Sequence, residues 1–134
     1  MINDKSLSEA KSNQPTKVRK YDLDERTHLF GKDVRNFVRK IPQTIANKED
    51  MKQLINSSGS VGANYFEASS AISKKDFLHR LKICRKEAKE SWHWLDCIDP
   101  GTAQETQVEQ QRLLQEAMEL LRIFSASVRT LQKS

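Results

Sequence analysis

The chain is poor in residues that break or bend a backbone. Its 134 residues include only 4 glycines and 3 prolines. Sandwiches and barrels of short strands need a turn every few residues, so this scarcity argues against them. Aromatic residues make up 7% of the chain, and no apolar run approaches the roughly 20 residues that cross a bilayer. The first twenty residues have no apolar stretch of the secretory kind, and Asp4 and Glu9 interrupt any transit-peptide pattern. A cytoplasmic protein with no membrane partner is expected. The two cysteines, Cys84 and Cys97, do not form a CxxC pair. Thirteen residues along one straight helix separates them by about 20 Å, too far for a disulfide. No Walker loop and no dinucleotide fingerprint is present, and no serine, cysteine or histidine sits in a nucleophile–base motif. No catalytic residue and no cofactor is expected.

Lysine, glutamate, glutamine, leucine and alanine are plentiful, a composition that favours helix. The length suits one domain with one core. Residues 1–20 are polar and aperiodic and read as a flexible basic tail. There Lys5, Lys11, Lys17, Arg19 and Lys20 face Asp4 and Glu9, a net charge of +3. Residues 21–134 read as the folded domain.

Four helical patterns follow the tail. Asp22-x-x-Glu25 has the spacing of a capping box. After it Leu23, Thr27, Phe30, Val34, Phe37 and Ile41 mark one helix face over about 23–41, stopped by Pro42. The second helix is capped by Thr44 or Asn47. Its stripe is Met51, Leu54, Ser58, Val61, Tyr65, Ala68 and Ile72. Gly59 and Gly62 could mark a loop, but the stripe keeps phase across them. A continuous helix is therefore expected, with the small residues from Ser57 to Ala63 admitting a close neighbour. Ser73-x-x-Asp76 caps the third helix, whose seam is Phe77, Leu81, Cys84, Ala88, Ser91, Leu95 and Ile98. Asp99-Pro100-Gly101 is a stop and turn. Thr102-x-x-Glu105 reads as the capping box of the fourth helix. Its seam is Leu114, Ala117, Leu121, Phe124, Val128 and Leu131. Four amphipathic helices with short connections predict an all-α fold, an antiparallel up-down four-helix bundle.

Two site readings arise. Glu25-x-x-His28 and Glu90-x-x-His93, with Glu67 and Glu116, have the residue types of a helical di-iron centre. At 100° per residue, however, Glu25 and Glu90 fall on outer faces, so no metal site is expected. The third helix carries a basic stripe: Lys75, His79, Lys82, Lys86 and Lys89 recur at intervals of 4, 3, 4 and 3, and Lys74, Arg80 and Arg85 widen it. From Lys74 to Lys89 seven Lys or Arg stand against Asp76 and Glu87, a local net of +5. Such an array suits a phosphate backbone, because each neutralised phosphate releases counterions. RNA or DNA is the expected partner, with Lys17, Arg19 and Lys20 assisting. The competing reading is a solvated face with pairs such as Lys86–Glu90. Trp92 and Trp94 could stack bases, or fill the core and an interface.

The runs YDLDERT at 21–27, SVGANYFEA at 60–68, SKKDFLHRLKICRKEAKES at 73–91 and the following WHWL resemble a family of four-helix-bundle proteins. That family is encoded within intervening sequences of bacterial 23S ribosomal RNA genes and sometimes labelled S23. The resemblance implies a ring-shaped homo-oligomer, a homopentamer with a central channel, and no enzymatic activity. The accessory protein of diversity-generating retroelements looks like a distant relative. A partner such as a reverse transcriptase, with this chain as a scaffold that does not itself touch nucleic acid, is the alternative implied. The matched family positions are Asn64, Tyr65, Glu67, Lys74, Lys75, Asp76, Phe77, Glu87 and Ala88. Asn56 departs from the pattern, standing where the family leads one to expect an arginine.

Overall fold

The computed structural model describes residues 23–134. Among them are four helices and no strand: α1, Leu23–Val38; α2, Ile45–Ser69; α3, Lys74–Cys97; and α4, Gln104–Lys133. The basic tail and Asp22 lie outside the described residues.

Cross-helix pairs run in opposite directions, which makes every adjacent pair antiparallel. Between α2 and α3, Ser57 pairs with Ser91 at 2.9 Å, Val61 with Cys84 at 3.7 Å, and Asn64 with Arg80 at 3.0 Å. Between α1 and α4, Arg26 pairs with Glu116 at 2.7 Å, Asp33 with Arg112 at 3.1 Å, and Lys40 with Glu105 at 3.2 Å. Each helix packs on its neighbours in the chain, and α4 returns to α1. This is an up-down bundle.

The apolar seams meet in one core. Val34, Leu54, Val61, Cys84, Ala88, Leu95, Ala117, Phe124 and Val128 are fully buried. The seam of α3 is the one expected, with Phe77 at its partly buried edge. Several expectations need correcting. In α4 the innermost row is Leu113, Ala117, Leu120, Phe124 and Val128; Leu114, Leu121 and Leu131 flank it. Ile72 lies beyond the end of α2 and is 96% exposed. Helix α1 ends at Val38 and not at Ile41, because a residue before proline is disfavoured in helical backbone. Ile41 is still buried, and the Gln43 side chain donates to the carbonyls of Val38 and Ile41 that the helix end leaves open. Both tryptophans are partly buried against the core, so neither fills it.

The caps follow two different rules. Thr44 and Ser73 accept the backbone N–H of Asn47 and Asp76, three residues on. Thr102 does not cap α4, whose N-cap is Ala103 without a side-chain bond. Gly101, at φ +85°, turns the chain, and the Thr106 hydroxyl donates instead to the carbonyls of Pro100 and Ala103. Gln110, buried, donates at 2.8 Å to the carbonyls of both Leu95 and Ile98, closing the end of α3. Helix α2 is continuous through both glycines, and the Ser57 and Ser58 hydroxyls donate back to Leu54 and Ile55.

The two thiols differ sharply. Cys84 is fully buried, and desolvation pushes its pKa up to about 12. Cys97 is exposed. A thiol reagent at neutral pH should modify one cysteine per native chain, Cys97, and both after denaturation. Equal reaction of both would contradict the packing. The unfolded chain loses the Cys84 proton at ordinary thiol pH while the folded chain keeps it. Stability should therefore fall as pH rises from about 9 towards about 12; urea melts across that range check the sign.

Candidate nucleic-acid interface

Helix α3 buries Leu81, Cys84, Ala88, Ser91 and Leu95, and this fixes its rotation in the bundle. The opposite face must then be wet. Lys74, Lys75, His79, Lys82, Lys86 and Lys89 are all exposed. Lys75 to Lys89 spans about 21 Å at 1.5 Å per residue. None of these lysines makes an ion pair with a described residue, and the Lys86–Glu90 pair of the competing solvated-face reading is not formed. A row of ammonium groups without an acidic partner among the described residues offers its charge to an incoming anion.

Two members of the basic set sit apart. Arg80 is partly buried and donates to Asn64 Oδ1 at 3.0 Å, so it ties α3 to α2. Arg85 is also partly buried. Glu87 is half-buried; burial raises its carboxyl pKa, Glu90 adds to this, and Lys86 opposes it. Lys17, Arg19 and Lys20 lie outside the described residues.

The residues of the di-iron reading do not converge. Glu25, His28, Glu67, Glu90 and His93 are exposed, and Glu116 is held by Arg26. No group of three or more His, Cys, Asp or Glu able to hold a metal ion occurs among the described residues. No described helix is long and apolar enough to cross a membrane.

The structure also brings together residues that the sequence alone left apart. Along the α1–α2 seam a groove of about 800 Å³ runs between His28, Lys32 and Arg35 on one side and Gly59, Gly62 and Phe66 on the other. Gly62 lets the helices touch: a Cβ there would stand 3.1 Å from the Thr27 carbonyl oxygen. The small-residue run was the signal for a close contact. Which helix made it could not be read from one strand of sequence.

The model of one family, described as 23S rRNA-intervening sequence protein, matches residues 19–126. The chain belongs to this family. It is also similar to a crystal structure from Bacteroides thetaiotaomicron VPI-5482, a protein with unknown function from the S23 ribosomal protein family. The TM-score is 0.63 and the identity 23%, covering 78% of this chain and 96% of that one. At that identity the likeness is one of fold. No curated protein matches the chain.

Several of the positions by which the chain resembles other intervening-sequence proteins make structural contacts here. Asn64 donates to the Ser60 carbonyl and hydroxyl, both at 2.9 Å, and accepts from Arg80. Tyr65 packs against Phe124 with ring centroids 6.1 Å apart, and burial raises its pKa. The Asp76 N–H completes the Ser73 cap, and the Glu87 carbonyl accepts from Ser91 at 2.8 Å. Glu67 is exposed, and no hydrogen bond or ion pair to a described residue engages its side chain. Lys74 and Lys75 alone among these positions belong to the open basic face.

Proposed function

We propose that this 23S rRNA-intervening sequence protein is a non-enzymatic nucleic-acid-binding protein. Its contact surface is the α3 face, with Lys75, Lys82, Lys86 and Lys89 on phosphates and Lys74 extending the row. The single observation that carries the reading is that these ammonium groups are exposed on one helix face with no acidic partner among the described residues. Arg80 and Arg85 contribute field and little direct contact, since both are partly buried. Lys17, Arg19 and Lys20 assist from the tail. Assembly as a ring-shaped homo-oligomer, which the family resemblance implies, would repeat the face in each copy and turn weak contacts into avidity.

The test is a titration into labelled structured RNA and duplex DNA across a salt series. Four phosphate contacts predict a log–log slope of about −3.6 on duplex DNA. A flat salt dependence overturns the reading. Absence of binding at low salt transfers it to a protein-interaction scaffold, for which Ile45 at 86% and Ile72 at 96% exposure are the apolar contacts to examine.

A further inference from the structure

The α3 stripe leaves the α1–α2 groove unused, and the groove sorts its chemistry along its length. At one end Arg35 lies over Gly59, with Nη2 3.3 Å from where a Cβ would stand; its Nη1 donates to the Gly31 carbonyl at 3.1 Å. Lys32 lines the same stretch, exposed and without an ion pair to a described residue. His28, Lys32 and Arg35 recur at intervals of 4 and 3, so they share one face of α1. At the other end Phe66 is 67% exposed, a ring held in water at the rim. It stands seven residues from Gly59, about 10 Å along α2. Asp24 and Glu25 close that end, where Asp24 accepts from Ser69. Gly31, Gly59 and Gly62 let the two helices come close beneath the groove: a Cβ at Gly31 or Gly59 would meet the Arg35 guanidinium at 3.4 or 3.3 Å, and one at Gly62 the Thr27 carbonyl oxygen at 3.1 Å.

We propose that this groove holds one unpaired nucleotide of a single-stranded nucleic acid, its base stacked on Phe66 and its phosphate at Lys32 and Arg35. An exposed aromatic ring stacks any base face, and a flanking cationic row takes the backbone. The carboxylates of Asp24 and Glu25 accept from an exocyclic amino group, which phosphate alone or an acidic peptide does not offer. A duplex cannot enter in this way, because its bases are already paired and stacked. The inference rests on the nucleic-acid reading above and narrows it to a strand with unpaired bases.

The experiment compares a short single strand with the same strand annealed to its complement, on the wild-type chain, Phe66→Ala and the double variant Lys32→Gln/Arg35→Gln. Phe66 is exposed, so its truncation leaves the core alone; a urea melt checks this. Phe66→Ala should weaken single-strand binding by about tenfold and leave duplex binding unchanged. The double variant should flatten the salt slope for the single strand only. A thiouridine-substituted single strand should photo-crosslink to the peptide containing Phe66. Crosslinks confined to α3, or single-strand affinity unmoved in Phe66→Ala, overturn the groove and leave the stripe standing. Wild-type protein that binds neither form overturns both readings.

Discussion

Replacing Lys75, Lys82, Lys86 and Lys89 together by glutamate should lower affinity for RNA and duplex DNA by on the order of a hundredfold or more at moderate salt, and should remove most of the salt dependence. Each replacement changes the charge by two, so the four carry the chain from +5 to −3. The effect combines two causes. The favourable release of counterions at about four phosphates is lost, and the same face now repels the backbone. The glutamine versions separate them, since they remove the first without adding the second. Stability should barely move, because the four side chains are exposed and unpaired with any described residue. Urea melts of the variant provide that control. Wild-type affinity in the folded glutamate variant would dismiss the stripe as a contact surface and leave it as a solvated face.

Asn47→Ala should be among the most destabilising single substitutions at a polar position, by about 3 kcal/mol. Asn47 is 2% exposed and fully hydrogen-bonded. Its Nδ2 donates to the carbonyls of Pro42 at 2.9 Å and Asp99 at 2.8 Å, and its Oδ1 accepts the Asp99 N–H at 3.0 Å. One amide therefore fastens the α1–α2 connection to the α3–α4 connection, 52 residues away in sequence. Alanine leaves three main-chain groups without their partner, and each buried polar group so stranded costs about 1–3 kcal/mol. A fall in melting temperature of on the order of 10 °C is expected. Asn47→Asp should be worse than alanine, because a carboxylate would face two carbonyl oxygens and lack both donors. Thermal melts of the two variants decide the point. An unchanged midpoint in Asn47→Ala would mean that the two connections hold without the bridge.

Much of the bundle was legible because helix periodicity is local. The α3 seam, the Ser73 cap and the passage of α2 through Gly59 and Gly62 depend on residues three or four apart, which sequence displays directly. The α4 seam was misread by one position because Leu113–Leu114 and Leu120–Leu121 each offer two leucines to the same period. The rotation that chooses Leu113 and Leu120 is set by packing against α1 and α3. Thr102 failed as a cap for a related reason: Gly101 turns the chain so that α4 opens at Ala103, and capping geometry depends on backbone angles that composition does not specify. Arg80 looked like part of the stripe on a helical wheel, yet Asn64 of another helix draws it into a seam.

The sequence by itself determined four amphipathic helices, their order, and an outer face of α3 that carries lysines. It did so because burying an apolar stripe forces the opposite stripe into water. Only the tertiary structure decided which side chains share a space. It joined Asn47 to Asp99, set Arg26 against Glu116, and laid α1 on the glycines of α2 to form the groove that Phe66 and Arg35 line. Those relations join residues tens of positions apart, and they arise from the packing of whole helices rather than from any local preference along the chain.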